Sequence, residues 1–142
     1  MTYIDKDGNK KTPYIIHRSS IGCYERTIAT LIEKYAGAFP TWMAPVQVKV
    51  LPISEKHVEY ANQLAKQMRH DYVRVEVDDR SEKIGYKIRQ AQMAKVPYML
   101  VVGDKEVEEG TVNVRKHGGD ELGSVPFEEF FNAIKIEIKE RN

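Results

Sequence analysis

Cysteine is nearly absent from this sequence, and long apolar runs are missing. Cys23 is the only cysteine among 142 residues, which excludes an internal disulfide and a zinc site built from a cysteine cluster. The most apolar run, around 96–102, is far too short to span a bilayer, and the amino-terminal residues do not resemble a secretory signal. We therefore expect a cytoplasmic protein in a reducing compartment, with no membrane partner.

A large excess of charge of either sign is also missing. The chain has 22 lysines and arginines against 21 acidic residues, so its formal net charge is +1. The composition is 42% hydrophobic and 30% charged, which is typical of a folded globular protein. This balance neither requires nor excludes a nucleic-acid partner, because a local basic patch is compatible with a neutral total.

The sequence of residues 1–38 predicts too few strands and helices for an independent domain. The turn-rich segment 5–13 indicates a hairpin tip or a loose end, and the aromatic and β-branched residues of 14–18 predict a short strand. An amphipathic helix follows, with serines at 19–20 as start signals and Gly37 as the stop. Its apolar face comprises Ile21, Tyr24, Ile28, Leu31, Ile32 and Tyr35. One strand and one helix do not enclose a core.

A proline-bracketed linker over 39–45 separates this segment from a second one, 46–142. There, strand and helix patterns alternate. We predict strands at 46–51, 72–77, 98–102 and 111–115, and helices at 54–70, 84–95 and near the carboxyl terminus, with 103–110 as a connector. The order β-α-β-α-β-β-α predicts an α/β fold in which helices flank a mixed β-sheet.

Motifs that bind phosphates or activate nucleophiles do not occur. The sequence has neither common glycine-rich phosphate loop and no Gly-x-Ser-x-Gly turn. His57 and His70 lie on an amphipathic helix, and we interpret both as solvated surface residues. His17 ends a predicted strand just before a helix, so it is either a hydrogen-bonded buried histidine or a residue that faces a ligand cleft.

Two charged segments permit a functional and a structural interpretation. Arg26 follows a glycine at a helix entry, where a guanidinium can hold a phosphate with two hydrogen bonds or simply pair with Glu25. The segment 78–89 is dense in charge and follows a strand. Lys83, Lys87 and Tyr86 either contact a nucleic-acid backbone and a base there, or form a solvated loop and helix face.

Several blocks of the sequence resemble one enzyme family. Ile16-His17-Arg18, Gly22-x-x-Glu25-Arg26 and Tyr35-Ala36-Gly37 resemble the third signature motif of bacterial threonyl-tRNA synthetases, which are class II enzymes. The blocks 40–48, 79–89, 96–100 and 103–107 are similar to that family's passage into its anticodon-binding domain and to the domain itself. The resemblance covers nearly the whole chain.

The resemblance implies a carboxyl-terminal fragment of a longer enzyme. Residues 1–38 would be the end of the class II catalytic domain, 39–45 a linker, and 46–142 the class IIa anticodon-binding domain. The parent enzyme would be a homodimer that uses ATP to join threonine to its tRNA. Its editing region and two other signature motifs would lie upstream, so we expect this chain alone to be inactive.

The resemblance also assigns roles to residues of the first segment. His17 matches one ligand of the catalytic zinc, which in the family engages the threonine amino and hydroxyl groups. Arg26 matches the catalytic arginine that clamps ATP phosphate, and Gly22 leaves room for the nucleotide. The other zinc ligands, a cysteine and a histidine, would lie upstream. We therefore expect neither ATP nor zinc to bind stably to this fragment.

In the second segment the resemblance implies contacts with the anticodon loop of threonine tRNA. The matching positions are Ser81, Lys83, Lys95, Glu106 and Arg115. Glu106 can accept hydrogen bonds from a base edge, and Arg115 can donate two. Ser81 stands where an asparagine can read a base, and Lys95 where an arginine occurs.

Two other classes of function remain open at this point. One is a non-catalytic accessory or regulatory RNA-binding protein built on the same anticodon-binding fold. The other, suggested by the strand and helix pattern alone, is a small α/β enzyme with its site at the carboxyl ends of the strands. The retained His17, Gly22 and Arg26 favour the synthetase interpretation over the accessory one.

Overall fold

The computed structural model describes residues 1–18, 22–119 and 121–141. Contacts divide the chain into two units, Met1–Thr30 and Leu31–Asn142. The predicted helix start at Ser19 and Ser20, and Ile21 of the predicted apolar face, lie outside the described residues.

The amino-terminal unit begins with a small hairpin. Strands β1 (Tyr3–Ile4) and β2 (Lys10–Lys11) pair antiparallel. The Asp5 carboxylate accepts the backbone N–H groups of Asp7 and Asn9, both at 2.9 Å, which fixes the turn. The predicted hairpin tip is confirmed.

The predicted strand over 14–18 is wrong. These residues follow the hairpin without joining a ladder, and Tyr14 and Ile16 are almost fully exposed. β-branched and aromatic residues favour a strand only when a neighbouring strand accepts their backbone hydrogen bonds. Within the described part of this unit, no such neighbour lies beside them.

Helix α1 (Tyr24–Tyr35) forms as expected but buries none of its residues. Its apolar side chains include Tyr24, Ile28 and Ile32, each about half exposed or more. Gly37 ends the helix with a φ of +77°, and its N–H donates to the Ile32 carbonyl at 3.0 Å.

Five strands form a mixed sheet in the second unit. In sheet order they are β4 (Val75–Val77), β3 (Val48–Pro52), β5 (Tyr98–Val102), β6 (Thr111–Lys116) and β7 (Glu121–Pro126). Strand β3 pairs parallel with both β4 and β5, whereas β6 and β7 join antiparallel. The predicted α/β fold with a mixed sheet is therefore confirmed.

Helices cover both faces of this sheet. They are α2 (Val58–His70), which follows a 3-10 turn over Glu55–His57, then α3 (Ile84–Met93), α4 (Asp104–Glu109) and α5 (Phe127–Glu140). None of the helices in the described ranges is long and apolar enough to cross a membrane.

Helix α4 and strand β7 were not predicted. Helix α4 has only six residues and one apolar side chain, Val107, so it lacks an amphipathic repeat. Strand β7 follows the Gly118-Gly119 turn, a dipeptide that indicates a hairpin.

Two apolar clusters hold the sheet between its helices. Helices α2 and α5 pack on one face through side chains that include Leu64, Met68, Phe130 and Phe131. On the other face, α3 places Ala91, Ile84 and Ile88 against Leu51, Met99 and Val101. Strand β5 is therefore buried at all five positions.

Replacing Met99 tests the smaller cluster. The Met99 side chain is fully buried between the sheet and α3, so Met99→Ala leaves a cavity. We expect a loss of about 2–5 kcal/mol in the free energy of unfolding, measured by urea titration with circular dichroism. The matched variant Met93→Ala removes a 65% exposed methionine and should change stability by less than about 0.5 kcal/mol. Equal losses of stability in the two variants would contradict a role for Met99 in this cluster.

Candidate nucleic-acid interface

A cavity lined by charges of both signs, which we call the charged cavity, lies where the parallel strands β3 and β4 end. Its volume is about 770 Å³, and its lining includes Lys56, Arg80, Ser81 and Lys83 together with the acidic Glu55, Asp79 and Glu82. Ser81 and Lys83 are exposed, and Lys83 immediately precedes α3. The carboxyl edge of parallel strands is where α/β sheets bind ligands, because the connecting loops converge there.

An ion pair fixes the loop that carries these residues. The Arg80 guanidinium donates to both carboxylate oxygens of Asp78, at 2.8 Å and 2.6 Å. Asp78 is buried, and the hydrogen bonds from Arg80 hold the pKa of its carboxyl below the usual value. Arg80 is thus committed to the loop, whereas Ser81 and Lys83 face solvent.

Lys87 does not contact solvent, contrary to the surface roles considered for it. Its ammonium group is buried and donates to the backbone carbonyls of Pro52 and Asp78, both at 3.0 Å. Burial without these acceptors would be unfavourable for a charged group. Lys87 therefore joins the ends of β3 and β4, while Tyr86 on the same helix stays 46% exposed.

The interpretation of His57 as a solvated residue is wrong. His57 is buried, and its Nδ1 accepts the Ser54 backbone N–H at 3.3 Å. Its proton therefore lies on Nε2, which is 3.1 Å from Asp104 Oδ1 and donates to it. His57 joins the β3–α2 turn to the start of α4, and the second histidine, His70, is exposed as expected.

Glu106 lies at the same edge of the sheet, after the end of β5. Its Oε2 accepts the Gly103 N–H at 2.9 Å and caps the first turn of α4. Gly103 packs tightly against the β3 end, since a Cβ there would lie 2.7 Å from Ile53 Cδ1. Ile53 also lines the charged cavity, so Gly103, the residue before α4, packs against a residue of the cavity wall.

Arg115 lies on β6, on the sheet face that α3 covers only in part. It pairs with Met99 of β5 and with Glu121 of β7, and its guanidinium donates to Glu121 at 2.7 Å. Residues directly opposite in a ladder share a face, so Arg115 lies beyond the α3 cluster. We call the polar side chains of this region the polar sheet face: Thr111, Asn113, Arg115, Glu121 and Ser124.

Lys95 stands at the amino end of β5. It has a φ of +55° after α3, and its ammonium group donates to the Ala36 carbonyl. Together with Lys116 and Tyr98 it borders a second cavity of about 290 Å³. Lys116 lies over the Tyr98 ring, at 5.0 Å from its centroid.

The five residues expected at the anticodon do not form a single cluster. Ser81, Lys83 and Glu106 lie at the carboxyl edge of the parallel strands, whereas Lys95 and Arg115 lie at the opposite end of β5. A five-residue strand spans about 13 Å, so a ligand must extend along the sheet to meet both groups. Thr111 and Asn113 lie between them on β6, and no role was predicted for either.

The residues expected at ATP and zinc are exposed in the first unit. Gly22 has a φ of +82°, with open space where a Cβ would point, and Arg26 and His17 lie on the surface. Glu25 accepts from the Cys23 thiol at 3.0 Å rather than from Arg26. Across the described ranges, no group of three or more histidine, cysteine or acidic side chains could hold a metal. The residues present do not fit a complete zinc site.

The Asp78–Arg80 ion pair makes the folding stability depend on pH. Because the folded pKa of Asp78 is depressed, its contribution is present above the unfolded pKa, about 3.9, and is lost as the pH falls below that value. We expect Asp78→Asn to be less stable than the unmodified chain at pH 7, and the difference to shrink as the pH falls below about 4. Urea unfolding at several pH values measures this. A difference that stays constant with pH would contradict the ion-pair assignment.

Comparison with known proteins matches these features to one family. The family model described as an anticodon binding domain matches residues 47–137. The chain is 61% identical over 141 residues to a threonine–tRNA ligase of Clostridium perfringens (strain SM101 / Type A), covering 99% of this chain and 22% of that protein. A threonine–tRNA ligase of Carboxydothermus hydrogenoformans is 52% identical, with the same two coverages.

A solved structure is similar in fold. It is the RNA binding domain of threonyl-tRNA synthetase from Cryptosporidium parvum Iowa II, with a TM-score of 0.74 and 30% identity over 79% of this chain and 28% of that one. The chain spans about a fifth of the length of the curated relatives that it matches, and these relatives are threonine–tRNA ligases. The chain therefore belongs to the anticodon-binding domain family.

Proposed function

We propose that this chain is the carboxyl-terminal, anticodon-reading portion of a threonine–tRNA ligase. The observation that carries the proposal is the family match over 47–137, which includes all five positions expected at the anticodon. The identity of 61% with a ligase specific for threonine supports threonine tRNA as the partner. We propose the boundaries 1–38, 39–45 and 46–142 for the catalytic remnant, the linker and the anticodon-binding domain.

Backbone and base contacts fall on different parts of the sheet. Lys83 is exposed beside the charged cavity, where an ammonium group can contact a phosphate without regard to sequence. Ser81 supplies a hydroxyl at the same edge. Arg115 offers a guanidinium on the polar sheet face, and this group can donate two parallel hydrogen bonds to a guanine edge. The anticodon loop would be held through its phosphates at one end of the sheet, and its bases would be recognised along the sheet.

Glu106 and Lys95 would supply the remaining contacts with the anticodon bases. Glu106 uses one oxygen to cap α4, and a carboxylate has further acceptor sites that can take a hydrogen bond from a base. Lys95 precedes the amino end of β5, the end at which Arg115 also lies, and its ammonium group can turn from the Ala36 carbonyl to the RNA. Both groups act on unpaired bases, because pairing occupies the Watson–Crick edges that they would contact.

In the longer enzyme, the first unit would contribute to the synthetase reaction. Arg26 would clamp an ATP phosphate at the surface on which it lies, and Gly22 would leave space for the nucleotide. His17 would supply one zinc ligand, with the others outside this chain. The parent would be a cytoplasmic homodimer that joins threonine to its tRNA.

Exposed apolar side chains support the view that residues 1–38 complete a larger domain. Tyr24, Ile28 and Ile32 point outward from α1, and Tyr14 and Ile16 are exposed before it. A globular chain normally covers such a surface, and a contiguous apolar patch indicates a contact with another segment. The proposed occupant is the upstream part of the catalytic domain.

Binding to an anticodon stem-loop of threonine tRNA tests the proposal. We expect the chain to bind this loop more tightly than a loop altered at the second and third anticodon bases. Arg115→Ala should weaken cognate binding about tenfold and abolish most of the discrimination. Arg115→Lys should restore little, because an ammonium group cannot form the two parallel hydrogen bonds. Fluorescence anisotropy measures each affinity.

Lys83→Ala provides the contrasting case. It should weaken binding to both loops equally and reduce the slope of log affinity against log salt by about 0.7 to 0.9, since it removes one phosphate contact. Lys139 is an exposed lysine on α5, and Lys139→Ala is the matched control. It should leave the affinity for both stem-loops unchanged. Equal affinity of the unmodified chain for both loops, lost at higher salt, would contradict a sequence-reading function.

A further inference from the structure

Asn113 occupies the middle of the polar sheet face, between the two groups of proposed contacts. On β6 it lies opposite Val101 of β5 and Ser124 of β7. Val101 belongs to the cluster under α3, so Asn113 is on the α3 side of the sheet. Its neighbours along this side of β6 are Thr111 and Arg115, because side chains alternate along a strand.

The side chain of Asn113 has a polar atom without a partner. Its Oδ1 is buried and accepts no hydrogen bond from the described residues. The Arg115 Nε is also buried and donates no hydrogen bond to them. Burying a polar atom without a partner is unfavourable, so such groups in a folded protein call for an explanation. Here an acceptor and a donor stand two residues apart on one face.

A structural role does not explain this side chain. Asparagine is depleted in strands, where threonine and valine pack better, and the flanking inward residues Val112 and Val114 already supply the core. Ser124 directs its hydroxyl to Thr111 at 3.1 Å rather than to Asn113. Asn113 therefore disfavours the fold slightly without forming a bond in return.

We propose that Asn113 reads an anticodon base adjacent to the one that Arg115 contacts. This inference rests on the proposed function. A primary amide offers one acceptor and two donors, and a turn about its last torsion presents either end. The Watson–Crick edges of guanine and uracil place an N–H beside a carbonyl, which is the pattern that an amide complements. With an unstacked base on β6, the amide would turn so that Oδ1 leaves its buried position and accepts a hydrogen bond from the base, which would link the two ends of the interface.

Pairing one substitution with single-base deletions tests this assignment. The whole chain and its Asn113→Ala variant are titrated with the threonine anticodon stem-loop and with loops carrying an abasic nucleotide at each loop position in turn. We expect Asn113→Ala to bind the intact loop about tenfold more weakly. For one abasic position within the anticodon, the two proteins should bind equally, because the contact is already absent. At the other positions the tenfold difference should persist.

The melting temperature Tm distinguishes a binding role of Asn113 from a structural role, because the two roles predict changes of opposite sign. Since Oδ1 has no partner, Asn113→Ala should leave Tm unchanged or raise it, whereas a structural asparagine would lower it. Asn113→Thr keeps a strand-compatible side chain and should lose binding to the same extent. Asn62→Ala, the same change on the exposed side of α2, should leave affinity unchanged and raise Tm slightly, because alanine favours a helix more than asparagine does.

Four results would overturn the inference. Unchanged affinity of both Asn113 variants would remove Asn113 from the interface, while discrimination between loops by the unmodified chain would still support the proposed function. A loss of equal size with every abasic loop, or a loss accompanied by a lower Tm in both variants, would reduce Asn113 to a structural residue. If the unmodified chain did not discriminate between loops, the proposed function would fail and the assignment of Asn113 with it.

Discussion

Burial of β3 and β5 from both faces is the constraint on which the rest of the second unit depends. Val48 and Val50 join the cluster under α2 and α5, while Leu51 joins the one under α3. Helix α3 has only ten residues, and its apolar contacts reach β3 and β5. The outer strands β6 and β7 are therefore packed on one face only. Their other face carries polar side chains, and a ligand can reach it.

The same constraint determines which charges are available to a ligand. Where the parallel strands end, their carbonyl groups need donors, and the buried ammonium group of Lys87 serves two of them. Arg80 is held by Asp78, and His57 is held between Ser54 and Asp104. These polar residues fix the loops. Residues such as Lys83, one position from α3, are then left facing solvent on a rigid support.

Elements with a long apolar repeat could be predicted from the sequence, and short ones could not. Helices α2 and α5 have a complete apolar face, and β5 is apolar throughout, so their positions followed from periodicity. Helix α4 shows no repeat, and the segment 14–18 has strand composition without a partner. In both cases tertiary context decides the structure, and composition does not contain that information.

The candidate site was predictable as a set of residues but not as an arrangement. Resemblance named five positions, yet their separation along the chain says nothing about which end of the sheet each occupies. Only the antiparallel return of β6 places Arg115 beside Met99, away from Glu106. Lys87 and His57 were misassigned for a related reason: their partners lie 35 and 47 residues away in sequence, so helical periodicity could not indicate them.

The charge arrangement favours recognition through base edges over attraction by phosphates. The net charge is only +1, and several lysines already pair with acids, as in Lys49–Glu76, Lys56–Asp104 and Lys135–Asp71. A net charge near zero gives little general attraction to an RNA backbone, which limits affinity that does not depend on sequence. Weak general attraction benefits a domain that must distinguish one tRNA from others with the same backbone, because specificity is a difference between affinities. Such a domain needs hydrogen-bonding groups held rigidly at the base edges, and the polar sheet face provides them on strands rather than on loops.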